Sequence, residues 1–204
     1  MKMKTSMKRW KPYTGLGVAL LALAPALARA HQEAGQAVGF LSGLAHPVSG
    51  LDHVLAMVAV GLWGAVLGPP AIWVLPVAFP VVMALGGLLG LLGIPVPGVE
   101  IGIALSAIVL GAMVLAESRP TLWLAAAVVA FFAIFHGHAH GQELPEGTSA
   151  LLYSLGFVVA TGLLHAVGIL LGEAHRWSAG RQAVRAAGGG VALAGLFFLW
   201  QAVA

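Results

Sequence analysis

Apolar residues in this chain come in long runs, and polar residues are confined to the gaps between them. Six runs, at about 51–67, 71–93, 99–116, 121–137, 149–171 and 187–203, approach the roughly 20 residues a helix needs to cross a hydrocarbon core. They are separated by "GPP", "IPVPG", "ESRP", "GQELPEGTS" and "GEAHRWSAGRQAVR", which leave no room for a second domain. Lipid admits only helices or closed barrels, and the runs are too long for strands. The pattern predicts an all-α polytopic membrane protein, a bundle of six transmembrane helices forming a single domain over 31–204. No repeat, low-complexity tract or phosphate-binding glycine loop interrupts it.

The segment ahead of these runs has a different grammar. Lys2, Lys4, Lys8, Arg9 and Lys11 precede "TGLGVALLALAPALA", and Ala28-Arg29-Ala30 follows. A charged start, a short apolar stretch and an A-x-A site predict a cleavable signal peptide over 1–30; an uncleaved first helix is the alternative. Composition agrees with the membrane reading: 60% of residues are hydrophobic and 8% charged, with mean hydropathy +0.97, against roughly 25% charged in soluble domains. The pI near 9.7 belongs to the leader, because residues 31–204 carry four arginines against seven carboxylates, a formal charge of −3. Nucleic-acid binding is therefore not expected. Cleavage would leave the new N-terminus, His31, outside, and six crossings then put Arg119 in one cytoplasmic loop and Arg176, Arg181 and Arg185 in another. The outer loops hold no Lys or Arg, as the positive-inside rule requires.

Two polar stretches carry the candidate chemistry. In "HPVSGLDH", residues 46–53, Pro47 suits a first helical turn, so His46 is expected where the chain enters the first span, with Asp52 and His53 one to two turns inside. His46 and His53 would share a helical face; Asp52, turned aside, can ligate or orient an imidazole. In "FHGHAHGQE", residues 135–143, His136, His140 and Glu143 share a face if the helix persists, and His138 points away. Gly137 and Gly141 can loosen the backbone there. The span count puts both stretches at the outer level, although it uses neither. With no cysteine in the chain, imidazole and carboxylate must supply any metal ligands, a set suited to borderline divalent cations such as nickel, cobalt and zinc. Capping and interfacial hydrogen bonding are the ordinary alternatives for each residue. Glu100, opening the third span at the same level, serves either the helix dipole or a metal. His165, some 16 residues into the fifth span and hence roughly 24 Å from its outer edge, is an inner relay or a helix-to-helix hydrogen bond. His175 sits among arginines and is expected in solvent. Gly86 and Gly90, and Gly98 and Gly102, permit close helix contact, and Pro76 and Pro80 should bend the second span.

"HPVSGLDHVLAMVAVGLWGA" and "FHGHAHGQELP", with "VEIGIALS" between them, resemble the HupE/UreJ family, membrane proteins associated with hydrogenase and urease accessory systems. The likeness covers most of residues 31–204. It implies a permease in the bacterial cytoplasmic membrane, N-terminus periplasmic, that moves nickel or cobalt inward without a nucleotide-binding domain, the ion being cargo and no permanent cofactor being needed. By motif the resemblance carries His46, Asp52, His53, Glu100, His136, His140 and Glu143 to the metal, and leaves His138 out. A different class of nickel and cobalt permeases has four residues between the first His and the Asp-His pair, whereas this chain has five. The residues alone leave open a zinc-dependent membrane hydrolase or a metal-holding subunit, and leave open homo-oligomerisation.

Overall fold

The computed structural model of the chain describes residues 39–144 and 148–204, which are helical throughout apart from short connections. The expected signal peptide, its cleavage site and His31 lie outside the described residues. In chain order the helices are α1 (Gly39–Ala45), α2 (Leu51–Leu67), α3 (Ala71–Leu91), α4 (Val99–Leu115), α5 (Leu122–Gln142), α6 (Ala150–Gly172) and α7 (Ser178–Val203). Single 3-10 turns at His46–Val48 and Glu173–Arg176 precede α2 and α7. Each of the six apolar runs forms a helix, but length and composition qualify only α3, α5, α6 and α7 as spans, or five if α1 and α2, bent by 80°, count as one. This falls short of six because α2 and α4 have 17 residues each, about 26 Å of helix against a core of about 30 Å.

Two boundaries moved, and both matter. α5 continues to Gln142 instead of stopping near 137, so all three of its histidines are helical. Helix α7 begins at Ser178, so Arg181 and Arg185 stand on its first turns and not in a loop. Arg181 donates to both carboxylate oxygens of Glu117, and Arg185 donates to the Leu115 carbonyl at 2.9 Å. Glu117 lies in the connection after α4, and the Arg181 guanidinium holds its carboxyl below the ordinary range. The indole N–H of Trp63, near the C-terminal end of α2, donates to the Ser118 carbonyl at 2.9 Å. These contacts collect the arginine-bearing segments at the end of α2 and α4 opposite to Asp52 and Glu100.

The bundle is assembled from three close pairings: α3 on α5, α4 on α7, and α2 on α6. Glycine makes the first possible. A Cβ at Gly137 would overlap the Met83 carbonyl, one at Gly141 the Gly87 carbonyl, one at Gly86 the Ile134 carbonyl and one at Gly90 the His138 carbonyl. Gly137 and Gly141 therefore do not loosen α5; they let the α3 backbone lie against it, and van der Waals contact between backbones is the main attraction available where lipid is as apolar as the side chains. α3 remains one helix through Pro76 and Pro80. It closes at Gly93, whose φ of +68° allows the Ile94 N–H to bond the Leu89 carbonyl at 3.0 Å, a left-handed C-terminal cap.

Gly137→Ala should lower the thermal midpoint of the detergent-purified protein, since overpacking typically costs about 1–3 kcal/mol. Gly162→Ala, where an added Cβ meets nothing within 4 Å, should not lower it. Equal midpoints for the two variants in a fluorescence-detected melt would contradict this packing.

Candidate metal centre

The chain does not pass from His46 to His53 as one helix. Pro47 opens a 3-10 turn, the Ser49 N–H and hydroxyl both donate to the His46 carbonyl at 3.0 and 2.6 Å, and Gly50 is extended before α2 starts at Leu51. Asp52 and His53 thus sit in the first turn of α2, not one to two turns inside, and the shared face expected of His46 and His53 does not exist. The break has a consequence of its own. It lets two imidazoles from one segment approach His140 from separate directions, with ring centroids 4.8 Å (His46) and 4.4 Å (His53) from the His140 ring.

Hydrogen bonds assign the nitrogens. Asp52 Oδ1 accepts from both the backbone N–H and the Nδ1–H of His53, each at 2.9 Å, so the neutral ring keeps its lone pair on Nε2. That Nε2 is buried with no hydrogen-bond partner among the described residues. His136, fully buried, faces the Ser106 hydroxyl at 2.8 Å, and Ser106 donates its single proton to the Ile103 carbonyl at 2.6 Å. The hydroxyl must then accept from His136 Nε2–H, which leaves the lone pair on Nδ1, again buried and unpartnered. The His136 ring is 4.8 Å from His53. Two rings are thereby locked by their far nitrogens, with their bare nitrogens buried near His140, the arrangement metal-binding imidazoles commonly show.

Glu143 completes the group. It caps α5 through its N–H to the Ala139 carbonyl at 3.2 Å, and its Oε2 stands 2.9 Å from His46 Nε2 and 3.6 Å from His140 Nδ1. Interaction with the His140 and His46 imidazoles keeps its carboxyl well below the usual carboxylate range, so it is a standing negative charge. One ligand atom each from His46, His140 and Glu143 lie within 4.8 Å of one another. Metal–ligand bonds near 2.1 Å hold two atoms on a common ion at most about 4.2 Å apart, so a small rotamer adjustment brings them together.

The remaining residues separate clearly. His138 is buried and donates from Nε2 to the Ile94 carbonyl at 2.8 Å, tying α5 to the cap of α3, not standing exposed in a loop. Glu100 is exposed and stays outside the imidazole group; it lines, with Asp52, Phe198 and Gln201, a cavity of about 210 Å³ that contains no histidine and borders the cluster through Asp52. His175 donates to the Gly172 carbonyl at 2.8 Å. Sequence reasoning missed Ser106, although it ends the quoted segment "VEIGIALS". It also missed Tyr153 and Phe157, whose rings lie 5.6 Å from His46 and 4.3 Å from His140; among so many apolar residues nothing marked them out.

The sequence profile of the family described as HupE / UreJ protein matches residues 18–198. The chain is 49% identical over 188 residues to the protein named Protein HupE of Rhizobium leguminosarum bv. viciae, an overlap covering 92% of this chain and 98% of that one. No solved structure matches.

Glu143→Gln should weaken Ni²⁺ binding by about 10- to 100-fold, the usual cost of disturbing the immediate surroundings of a metal, and His138→Ala should change it by less than about threefold. Because imidazoles must be neutral and the carboxylate ionised to bind, affinity in the parent protein should fall as the medium is made progressively more acidic. Isothermal titration in detergent checks all three; a large loss in His138→Ala, or none in Glu143→Gln, would refute the assignment.

Proposed function

The chain belongs to the HupE/UreJ family, and on that premise we propose that this integral membrane protein is a permease that carries nickel, or cobalt, from periplasm to cytoplasm for hydrogenase or urease metallocentre assembly. The observation that supports this most is the meeting of two motifs, one around residues 46–53 and one around 136–143, on the His140 ring. Asp52 and Glu100, which line one cavity, attract the hydrated cation. Bare nitrogens of His53, His136 and His140, with the Glu143 carboxylate, replace its water. A divalent ion in apolar surroundings needs such compensating charge, and the absence of thiolate keeps the hold reversible.

Orientation follows from the arginines. With Arg176, Arg181 and Arg185 on the cytoplasmic side, the histidine cluster opens outward. The inside-negative potential then favours inward movement of a divalent ion by about 4.6 kcal/mol at 100 mV, from roughly 2.3 per elementary charge. That is enough to drive accumulation without a nucleotide-binding domain. Six crossings after a cleaved leader, in the bacterial inner membrane, complete the reading, α2 and α4 spanning as short helices supported by their neighbours.

Uptake of radiolabelled nickel into proteoliposomes tests it. His140→Ala and Asp52→Asn should each abolish uptake while membrane insertion stays at the parent level. Wild-type rates in both would show that the ion takes another route, and nickel retained without any flux by the parent protein would make it a metal-holding subunit.

A further inference from the structure

Below the imidazole cluster the bundle buries a second set of polar groups that the outer site does not use. His165, on α6, is 1% exposed, and neither ring nitrogen has a hydrogen-bond partner among the described residues. Thr161, one turn earlier on the same face, is fully buried with its hydroxyl equally unpartnered. Across from them α3 carries Pro76 and Pro80. Proline 80 has no N–H, so the Pro76 carbonyl loses the donor that a regular helix would give it. The His165 ring faces that carbonyl without closing a hydrogen bond to it. A buried polar group left in this state is destabilising, and apolar side chains would have packed the space without that cost.

Phe79 stands between this set and the outer cluster. It is fully buried, with its ring edge-on to His136 at 5.4 Å and to His165 at 5.5 Å. Along α6, His165 is eight residues beyond Phe157, about 12 Å further into the bundle, while Phe157 itself packs on His140 at 4.3 Å. The two polar sets are therefore stacked along the bundle axis with one aromatic ring separating them.

Building on the transport reading, we propose that His165, Thr161 and the Pro76 carbonyl form a second, deeper cation-binding station, and that Phe79 partitions it from the outer cluster. Its donors are an imidazole, a hydroxyl and a backbone carbonyl, all neutral, so it holds a divalent cation less tightly than the carboxylate-bearing outer group. Descending affinity along a path is what lets an ion that was captured also leave. The proline pair acquires a purpose beyond bending α3, since it sets free the carbonyl that faces His165.

Titration of the full chain in lipid nanodiscs with Co²⁺, followed by its visible absorption, tests the station. The parent protein should show a tight and a weaker phase. His165→Ala should lose the weaker phase and keep the tight one within about twofold. Pro80→Ala, which restores an N–H for the Pro76 carbonyl and favours the helix, should weaken the second phase by about tenfold, and it covers the case in which His165→Ala does not fold. A single phase in the parent, or both phases unchanged in Pro80→Ala and His165→Ala, would overturn the proposal. Nickel flux in matched proteoliposomes separates this from the transport reading: two phases with no flux would sink the permease and keep the station, whereas flux with one phase would do the reverse.

Discussion

A neutral imidazole buried among apolar helices has one N–H and one lone pair, and burial leaves no water to look after either. This requirement organises the molecule. Asp52 and Ser106 each occupy one nitrogen of a histidine, and in doing so they fix which nitrogen is left with a lone pair. The nitrogens left over on His53, His136 and His140 lie in touching rings. An unpaired buried group costs about 1–3 kcal/mol, so several of them in contact are stable only if folding pays that cost elsewhere or a cation removes it.

The packing of the helices meets part of that requirement. Glycines on α3 and α5 bring the two backbones into contact, which fixes the depth and rotation of α5 and so the positions of His136 and His140. On the other side, the turn at Ser49 and Gly50 redirects the chain by 80°, bringing His46 and His53 to bear on the same ring. Neither device touches the ion, yet a shift of about 1 Å in either would separate the ligand atoms beyond what one ion can bridge.

Much of this was legible in the residues. Hydrophobic run length located every major helix, and the spacing of His136, His140 and Glu143 gave their common face, because α5 stays regular through Gln142. The two polar motifs could be assigned to one end of the bundle by counting crossings. What could not be read has identifiable causes. The face expected of His46 and His53 failed because Ser49 turns its hydroxyl onto the His46 carbonyl, a local competition that spacing rules do not contain. The shortness of α2 and α4, by contrast, was already present in the apolar runs 51–67 and 99–116, which the helices match to within a residue. The roles of Ser106, Phe79, Tyr153 and Phe157 depend on contacts between distant helices, and in a chain this apolar no periodic signal distinguishes a residue facing a neighbour from one facing lipid.

The most direct test of the account is X-ray absorption at the nickel K-edge on the Ni²⁺-loaded protein in nanodiscs. A cation held where the two motifs meet should show outer-shell scattering from at least two imidazoles together with a nitrogen and oxygen first shell, and no sulfur. A spectrum of hydrated nickel without imidazole scattering, or one in which that scattering is undiminished when both His46 and His140 are replaced by alanine, would contradict it.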